Sequence, residues 1–522
     1  MTVSILKRYQ AALKRLGSQR KAAKAVGIPR STIQEMLKRE DTFKQAAPAK
    51  AVAVPTPKRK TRRFIFSAAQ NGTEVHEQFL TNLEAYAEYL DASLHIAGFT
   101  YNKRLFEENR KDDPKQWYHP RIKPYLTDRS MQIGEALVWC AEMNTLPTAV
   151  SPLSGFETYT RAKSGIFPHA KVQLLTVPTV KGSEPKFIMT TGAVTRENYI
   201  QKRAGIKAHF HHVISAIVVE IDSDGDWFFR HLNSEDDGSF QDLTRYVKNG
   251  KVTDGHSVEA IVWGDLHTEE ADPEVLRGSF GIDDLGQVRR GACMLDWLAP
   301  KFQFIHDVSD FRPRNHHNVR DPLFRIKMNY QGREEVDREL DKVADLLTNI
   351  SRPTTKTIVV ESNHDLALLR WLKDADWRDD PVNAEFMLEA QLECVRAVNR
   401  GEESFSILEW VIQRKGVPLD IQFLRQDESF TVNGIEFGLH GHLGANGSRG
   451  HPRQFTKLGP KMVTGHTHSA SILDGVYTVG TSSLLDLGYN VGPSSWSHTH
   501  CVVYPSGKRT LVPMRGSKFC GM

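Results

Sequence analysis

Apolar residues recur at two different periods along the chain, and these periods predict where helices and strands lie. Near the N-terminus they return every three or four positions, which predicts helices. The first such run consists of Leu6, Tyr9, Leu13 and Leu16. A second helix is predicted to start at Ser18, followed by a turn at Gly27 and a third helix from about residue 31. Residues 1–40 are therefore interpreted as a helix-turn-helix unit.

The pattern changes after residue 40. Residues 41–63 are rich in Ala, Pro and Lys without a large apolar repeat, and are interpreted as an extended basic linker. Beyond it, FIFSAAQNG predicts a strand and a turn, HEQFLTNLEAYAEYL an amphipathic helix, and SLHIAGFT another strand. Residues 64–250 are therefore predicted to form an accessory α/β domain of open role. Within it, the run His209–His212 is interpreted as extended, with a structural or surface role favoured over metal binding.

Length and charge add to this picture. A chain of 522 residues is too long for one hydrophobic core, so two or three domains are expected. Residues 1–64 contain 17 Lys or Arg against three acidic residues, whereas the remainder carries a net negative charge. This asymmetry suggests a polyanionic partner such as nucleic acid, although a solvated tail would also explain it. Widely spaced cysteines and the lack of an apolar run of bilayer length are typical of a cytosolic protein.

Residues 251–522 alternate predicted strands and helices, and five short polar motifs follow strand ends. Helices are predicted over REEVDRELDKVADLLTNI and from about 366 to 400. The strands with their motifs are EAIVWGDLH, FQFIHDVSD, KTIVVESNHD, IEFGLHGH and KMVTGHTH. In order, they supply Asp265 and His267, then Asp307, then Asn363, His364 and Asp365, then His440, and finally His466 and His468.

Elementary chemistry links these motifs before any family is considered. A buried strand ends at the rim of its sheet, so residues just past several strand ends converge on one crevice. Carboxylates, imidazoles and an amide oxygen are ligands for Mn²⁺, Fe²⁺, Zn²⁺ or Mg²⁺. In D-x-H and H-x-H, the two side chains face the same side of an extended segment. Two neighbouring cations held in this way can keep a hydroxide between them and stabilise an in-line phosphoryl displacement.

As a set, the motifs resemble those of the calcineurin-like metallophosphoesterase superfamily, which are D-x-H, G-D-x-x-D, G-N-H-[DE], H-G and G-H-x-H. The resemblance covers about residues 260–500 and implies two divalent metal ions. Mn²⁺ is the expected metal, with Mg²⁺, Fe²⁺ or Zn²⁺ as alternatives. The first ion would be held by Asp265, His267, Asp307 and His468. The second would be held by Asp307, Asn363, His440 and His466, so that Asp307 bridges the two. His364 would stabilise the phosphoryl oxygens and protonate the leaving oxygen, oriented by Asp365.

The resemblance also implies the fold. The expected class is α/β, with a metallophosphoesterase β-sandwich flanked by helices over 251–522. A small all-α helix-turn-helix and a middle α/β domain would precede it. Two positions depart from the superfamily pattern, because His306 and Ser362 stand where glycine is usual, and the local turns are expected to differ. His440 and His442 compete for the fourth motif, and the H-G spacing favours His440.

The substrate is not fixed by the fold, since the superfamily hydrolyses phosphoproteins, nucleotides and nucleic acids. The N-terminal unit resembles the helix-turn-helix units of phage and bacterial regulators and recombinases. Arg30, Gln34 and Lys38 would lie on its DNA-facing helix. After the bridging Asp, the loop DFRPRNHHN could bring Arg312 and Arg314, with His316 and His317, to phosphates near the metals. An ordinary polar loop is the alternative.

These features resemble the nuclease branch of the superfamily, which includes double-strand-break repair nucleases. In overall size and architecture the chain also resembles the early DNases of large lytic phages. The predicted function is a two-metal DNA nuclease, acting in the host cytoplasm if phage-encoded, with homo-oligomerisation left open. The alternatives are a phosphatase or nucleotide hydrolase of the same superfamily, and a DNA-binding regulator without turnover.

Overall fold

The computed structural model describes residues 12–15, 17–26, 60–100, 116–315 and 318–521. The chain divides into two compact units, Met1–Lys58 and Arg59–Met522. In the first unit, helix α1 (Gln19–Val26) lies where the first helix of the helix-turn-helix is predicted, with Ala22 and Ala23 buried. The second helix of that unit, with Arg30, Gln34 and Lys38, lies outside the described residues, as do His316 and His317.

The larger unit contains the strands. In chain order they are β1 (Arg62–Gln70), β2 (Ala92–Phe99), β3 (Leu126–Thr127), β4 (Met131–Ile133), β5 (Leu137–Trp139), β6 (Ser164–Phe167), β7 (Leu174–Val177), β8 (Lys186–Thr190), β9 (Ser215–Ile221), β10 (Trp227–Asn233), β11 (Phe240–Asp242) and β12 (Arg245–Lys248). They continue as β13 (Lys251–Thr253), β14 (Ala260–Val262), β15 (Phe302–His306), β16 (Lys356–Val360), β17 (Gln422–Leu424), β18 (Thr431–Val432), β19 (Ile435–Glu436), β20 (Lys461–Thr464), β21 (Ser471–Leu473), β22 (Val476–Thr478), β23 (Thr499–Val503) and β24 (Arg509–Pro513).

The α-helices of the larger unit lie between these strands. They are α2 (Glu77–Leu90), α3 (Arg203–His211), α4 (Pro273–Phe280), α5 (Met294–Leu298), α6 (Pro322–Tyr330), α7 (Val336–Ile350), α8 (Ala367–Asp374), α9 (Ala384–Asn399), α10 (Ile407–Arg414) and α11 (Pro452–Phe455). Among the described residues, no helix combines the length and the apolar character that crossing a lipid bilayer requires.

A five-stranded sheet opens the larger unit, in the order β10-β9-β1-β2-β3. β1 and β2 pair in parallel, with Phe66 opposite His95, and α2 connects them. Phe79 and Leu83 of α2 pack on one face of this sheet, because they recur at helical spacing on one side of the helix. The βαβ alternation predicted here is confirmed.

A six-stranded sheet carries much of the predicted chemistry, in the order β17-β16-β15-β14-β23-β24. Its strands β14, β15, β16 and β17 run parallel to one another. On one face, Ile305 and Val359 pack against Val343 and Leu347 of α7, within a core to which α4, α5, α8 and α10 also contribute. Parallel strands covered on both faces need apolar residues on both sides, which explains their continuous apolar runs.

A ten-stranded sheet lies against the other face of the six-stranded sheet, in the order β18-β19-β20-β22-β21-β7-β8-β6-β5-β4. The two sheets share one hydrophobic core, in which Phe304 and Val360 of the first meet Val463 and Ile472 of the second. Helices, the six-stranded sheet and the ten-stranded sheet are thus successive layers. The fold is mixed α/β, as the sequence predicts.

The ten-stranded sheet corrects one predicted boundary. β7 and β21 pair in antiparallel fashion, with Leu174 opposite Ile472. Strands β4 to β8 therefore extend the same sheet as β18 to β22, and residues 64–250 share one compact unit with 251–522. The predicted separate accessory domain is replaced by strands that complete a common sheet. Local periodicity cannot reveal such a pairing, because its partners lie about 300 residues apart in sequence.

Two local predictions are also corrected. The helix predicted from about 366 to 400 is interrupted between α8 and α9. α8 ends at Asp374, where Ala375 takes an extended conformation, and Pro381, which lacks an N–H, precedes the start of α9. The sequence predicts an extended His209–His212 run, but His209 and His211 lie in α3. Two positions apart on a helix, they project about 200° from one another and do not form a same-side pair.

Candidate metal centre

The predicted ligands lie in loops that leave five strands. In the six-stranded sheet, the loops after β14, β15 and β16 carry Asp265 and His267, Asp307, and Asn363. In the ten-stranded sheet, the loops after β19 and β20 carry His440, and His466 with His468. Strands β14 to β16 are parallel, as are β19 and β20, so their carboxyl ends lie at the same edge of each sheet. The two edges meet around Asp307.

Several of these residues hold an unusual backbone. The angle φ is +44° at His267, +46° at Asp307, +73° at His466 and +55° at His468. This left-handed region costs a residue other than glycine roughly 1–3 kcal/mol, and such residues concentrate at functional sites. Steric contact explains why glycine precedes His466, because a Cβ at Gly465 would collide with the Asp265 carboxylate. The loops are thus shaped to bring these side chains close together.

One side of the Asp307 carboxylate faces two imidazoles and a second carboxylate. His267 Nε2 lies 3.3 Å from Asp307 Oδ2 and 3.0 Å from His468 Nε2. His468 Nε2 in turn lies 3.2 Å from Asp265 Oδ2. All four side chains are buried. Asp265, Asp307 and His468 can each offer a ligand atom to one ion, and His267 Nε2 lies beside them.

The other side of Asp307 faces a cluster of histidines. His440 Nε2 lies 3.5 Å from Asp307 Oδ1, and the His440 and His466 ring centres are 5.3 Å apart. The His442 ring lies 5.4 Å from that of His440 and 6.1 Å from that of His466. His442 therefore borders the site without replacing His440 as the residue that faces Asp307.

The residues present fit a divalent cation. Buried polar atoms are nearly always hydrogen-bonded, because an unmet donor or acceptor costs free energy. In this site, buried side-chain atoms without such a partner include Asp265 Oδ1, Asp307 Oδ1, Asn363 Oδ1, His440 Nε2 and His468 Nδ1. Carboxylate and amide oxygens with imidazole nitrogens are a ligand set for Mn²⁺, Fe²⁺, Zn²⁺ or Mg²⁺. Cations on the two sides of Asp307 would give the carboxylate oxygens, the Asn363 oxygen and His440 Nε2 the partners that they lack.

The electrostatics of the site keep its central carboxylate charged. Burial alone would raise the pKa of Asp307, but the neighbouring His440, His267 and His364 rings hold it well below its usual value. Burial likewise disfavours a charged His267, yet the Asp307 and Asp310 carboxylates raise its pKa well above the ordinary value. Despite burial, the pKa of His468 is also raised, by the Asp265 and Asp307 carboxylates, so His267 and His468 balance negative charge that a metal would balance when bound.

His364 lies at the mouth of the site, and its partner differs from the predicted one. His364 Nδ1 lies 3.4 Å from Asp310 Oδ1. Asp310 also holds His267, with its Oδ1 3.1 Å from His267 Nδ1. The Asp365 carboxylate instead accepts backbone N–H groups of Ser309 and Ser362, at 3.3 and 3.1 Å. The carboxylate that contacts His364 is therefore that of Asp310, the second Asp of the G-D-x-x-D pattern, and not that of Asp365.

His306 lies in the site, although from the sequence it is identified only as a departure from the glycine of the superfamily motif. It is fully buried, and its Nδ1 lies 3.3 Å from His440 Nδ1, on the side of the ring away from Asp307. One nitrogen of each of these rings and a carboxylate oxygen of Asp265 lie within 4.8 Å of one another. His306 thus occupies the space beside a predicted ligand that a glycine would leave open.

The predicted phosphate contacts Arg312 and Arg314 are corrected by the structure. Both are buried. Arg314 Nε and Nη2 donate to the Asp380 carboxylate at 2.5 and 2.8 Å, and Arg312 Nε lies 3.2 Å from Glu270 Oε1. Their charges are neutralised by acidic residues from distant segments, so these guanidinium groups tie the loop down and do not face solvent.

Two other arginines stand exposed beside the site. Arg370, on α8, donates to the backbone oxygen of Asn363. Arg449 lies on the loop after β19, where it bridges to Leu443, next to His442. Burial lowers the pKa of His442 to about 4, and the positive charge of Arg370 contributes to this shift. The His466 pKa is lowered by burial, with a further contribution from Arg449. Positive charge therefore borders the histidine side of the site.

A second cluster of acidic residues in the chain is neutralised by a lysine side chain. Asp222, Asp224 and Asp226 lie close enough together to hold an ion. Lys518 Nζ donates to all three carboxylates, at 2.7, 2.7 and 2.8 Å. The lysine ammonium supplies the positive charge that these carboxylates need, and it fastens the C-terminal segment to the loop between β9 and β10.

Comparison with known proteins identifies a phage relative. The chain is 41% identical over 468 residues to Protein A1 of Escherichia phage T5, and the match covers 88% of this chain and 83% of that protein. No protein-family model matches the chain. Identity at this level over most of both chains means common ancestry, so this chain belongs to the family of phage T5 Protein A1.

Proposed function

We propose that this protein is a metal-dependent nuclease that hydrolyses phosphodiester bonds in DNA, with a β-sandwich of the calcineurin-like metallophosphoesterase type. One observation carries the proposal. Donor side chains from loops far apart in sequence surround Asp307, and several of their buried atoms have no protein partner. Such convergence is the arrangement that a two-cation phosphoesterase needs.

The ligand sets are those that the superfamily resemblance implies, one on each side of the Asp307 carboxylate. A first cation would be held by Asp265, His267, Asp307 and His468. A second would be held by Asp307, Asn363, His440 and His466. Mn²⁺ suits this mixture of oxygen and nitrogen ligands, with Mg²⁺, Fe²⁺ and Zn²⁺ as alternatives. When bound, such a pair supplies Lewis-acid stabilisation of the charge on the phosphoryl oxygens.

The chain's own residues position the proton donor. With its Nδ1 towards Asp310, His364 keeps Nε2 as the nitrogen that can face a substrate. When both ring nitrogens carry a proton, Nε2–H can donate a hydrogen bond to a phosphoryl oxygen and deliver its proton to the departing deoxyribose oxygen, which leaves the ring neutral. Asp310 fixes the rings of both His267 and His364, so one carboxylate aligns a proposed ligand with the proposed acid.

DNA is the proposed substrate because positive charge occurs at two places. The N-terminal stretch carries 17 Lys or Arg against three acids within 64 residues. Arg370 and Arg449 add exposed guanidinium groups at the rim of the site. A duplex presents a continuous row of phosphates, so it can meet both a basic arm and a basic rim. A small phosphomonoester can meet the rim alone.

A substrate panel tests this proposal. Supercoiled plasmid, linear duplex and single-stranded DNA are incubated with the full chain and each of the four metals, beside p-nitrophenyl phosphate and nucleotides. DNA is expected to be cleaved with Mn²⁺ and protected by EDTA. Rapid turnover of the phosphomonoesters with intact DNA would make the protein a phosphatase. Failure of every substrate with every metal would overturn the enzymatic proposal altogether.

Replacement of Arg449 by alanine should weaken binding of DNA without harming the chemistry. We expect KM for DNA to rise about tenfold, the scale of one lost hydrogen bond to a charged group, with kcat little changed. The slope of log KM against log salt should fall by about one. Arg289→Ala is the matched control, since that exposed arginine pairs with Asp283. An unchanged salt slope in Arg449→Ala would show that this arginine meets no phosphate.

Replacement of His306 by phenylalanine should weaken metal binding. Phenylalanine fills a similar volume but offers no nitrogen to His440, whose ring would lose the contact that orients it. Loss of an outer partner of a metal ligand typically costs about 10–100-fold in affinity, and we expect that range for Mn²⁺ in calorimetry. An unchanged affinity, with an unchanged thermal midpoint, would show that His306 only fills space.

A further inference from the structure

A helix outside the metal centre exposes an apolar stripe. One side of α9 packs Met387 and Ala390 into the helical layer. The opposite side presents Leu388, Leu392 and Val395, which are 47%, 49% and 57% exposed. These are large apolar side chains in a row, whereas scattered single ones would be ordinary on a protein surface.

The spacing of this stripe matches a helix–helix seam. Leu388 and Leu392 are four positions apart, and Leu392 and Val395 are three apart. Alternate steps of four and three keep side chains on one line of an α-helix, which is the pattern by which two helices pack against each other. The stripe is therefore shaped to pack against another helix. A flat partner surface would leave part of these side chains exposed to water.

The charges beside the stripe are arranged with opposite signs at its two ends. Glu389 lies towards the N-terminal end of α9 and Arg396 towards its C-terminal end, on the same flank of the stripe. Arg396 Nη1 lies 3.6 Å from Glu393 Oε2, and Glu389 Oε1 lies 2.6 Å from Arg414 Nη1. Both side chains of the flank remain more than half solvent-exposed, so each can take a further partner.

We propose that α9 is the surface through which two copies of this chain associate, with their α9 helices antiparallel about a two-fold axis at Leu392. In that arrangement Leu392 meets Leu392 of the second copy, and Leu388 meets Val395. Glu389 faces Arg396 of the second copy, and the symmetry repeats this ion pair on the other side of the axis. A two-fold contact must be self-complementary in this way.

The charges favour the antiparallel arrangement over a parallel one. In antiparallel pairs, the same flank of each helix lies beside that of its partner, running in the opposite direction. Glu389 of one copy therefore lies beside Arg396 of the other. In a parallel pair, that flank would meet the opposite flank, which presents Gln391 and Val398 and offers no partner charge. The macrodipoles of antiparallel helices also oppose each other favourably.

The small area of the stripe limits how tightly two copies can associate. Stable interfaces bury about 1,200–2,000 Å² in total, and one pair of helices of this length contributes only part of that. The dimer is therefore expected to form with a dissociation constant on the order of micromolar. Measurements must use the full chain at concentrations above that value.

Analytical ultracentrifugation of the full chain tests the proposal. At tens of micromolar, the weight-average mass of the wild-type protein should approach twice the 59.0 kDa of one chain. Leu392→Glu places two carboxylates at the axis and should weaken association about thirtyfold or more, as expected for a central interface residue. Leu285→Glu, at a residue 82% exposed elsewhere, should leave the mass unchanged. A wild-type monomer, or an unchanged mass for Leu392→Glu, would overturn the proposal.

Two charge reversals test the direction of the helices. Glu389→Arg alone sets arginine against arginine, and Arg396→Glu alone sets glutamate against glutamate, so each variant should associate more weakly than wild type. An equimolar mixture of the two should restore the dimer. In the mixed dimer the introduced arginine of one chain meets the introduced glutamate of the other, and the native Glu389 and Arg396 form the second ion pair. If the mixture stays as weak as its components, the antiparallel register is wrong.

Discussion

Replacement of Asp307 by asparagine is expected to abolish metal-dependent cleavage of DNA. Its carboxylate contacts both halves of the proposed centre, with Oδ2 near His267 and Oδ1 near His440. Asparagine keeps the shape but loses the charge and one acceptor oxygen. We expect the rate to fall at least about a thousandfold, the upper range for loss of one electrostatic group in an active site. Bound Mn²⁺ should fall from two ions per chain to at most one.

The control for this prediction is a carboxylate outside the centre. Asp222 is also buried, but it pairs with Lys518. Asp222→Asn should therefore lower stability without changing the rate of cleavage or the metal count. Cleavage at the wild-type rate by Asp307→Asn would remove the basis of the proposed function, whatever the substrate.

Replacement of His364 by glutamine is expected to stop the chemistry while sparing the metals. A general acid contributes typically about 10²–10⁴-fold to a rate, so kcat should fall within that range. His364 is proposed to hold no ion, so calorimetry should still find two Mn²⁺ per chain. One of its nitrogens lies within 4.8 Å of ligand atoms of His267 and Asp307, so it could instead be a ligand. A metal count reduced to one would then identify it as such.

Variants of two neighbouring carboxylates test whether His364 is oriented by Asp310 or by Asp365. Asp310→Asn should lower kcat by about tenfold or more, because Asp310 contacts both His364 and His267. Asp365→Asn should lower kcat less, since its carboxylate meets backbone N–H groups and burial raises its pKa to about 8. The reverse order of these two effects would restore Asp365 as the partner of His364.

The positions of the predicted ligands could be inferred from the sequence because each depends on local information. An apolar strand followed by a polar motif fixes a residue at a sheet edge, and parallel strands share that edge. This reasoning places Asp265, Asp307 and Asn363 together without any knowledge of the loops between them. The helix predicted at α7 likewise follows from its apolar period alone.

The features that the sequence could not supply depend on distant partners. Arg314 is predicted to meet phosphate because its loop is polar, whereas Asp380, 66 residues later, takes its charge. The shared sheet depends on the pairing of β7 with β21, whose members no local pattern relates. His306 differs from a glycine of the superfamily, but only the position of the His440 ring shows what the side chain adjoins.

Diffraction from crystals soaked in Mn²⁺ is the most direct test of the central claim that two cations share the Asp307 carboxylate. Data collected at the manganese absorption edge locate the ions without reference to activity or substrate. We predict two anomalous peaks per chain, one on the Asp265 and His468 side of Asp307 and one on the His440 and His466 side. Strong peaks elsewhere in the chain, with none beside Asp307, would contradict the account.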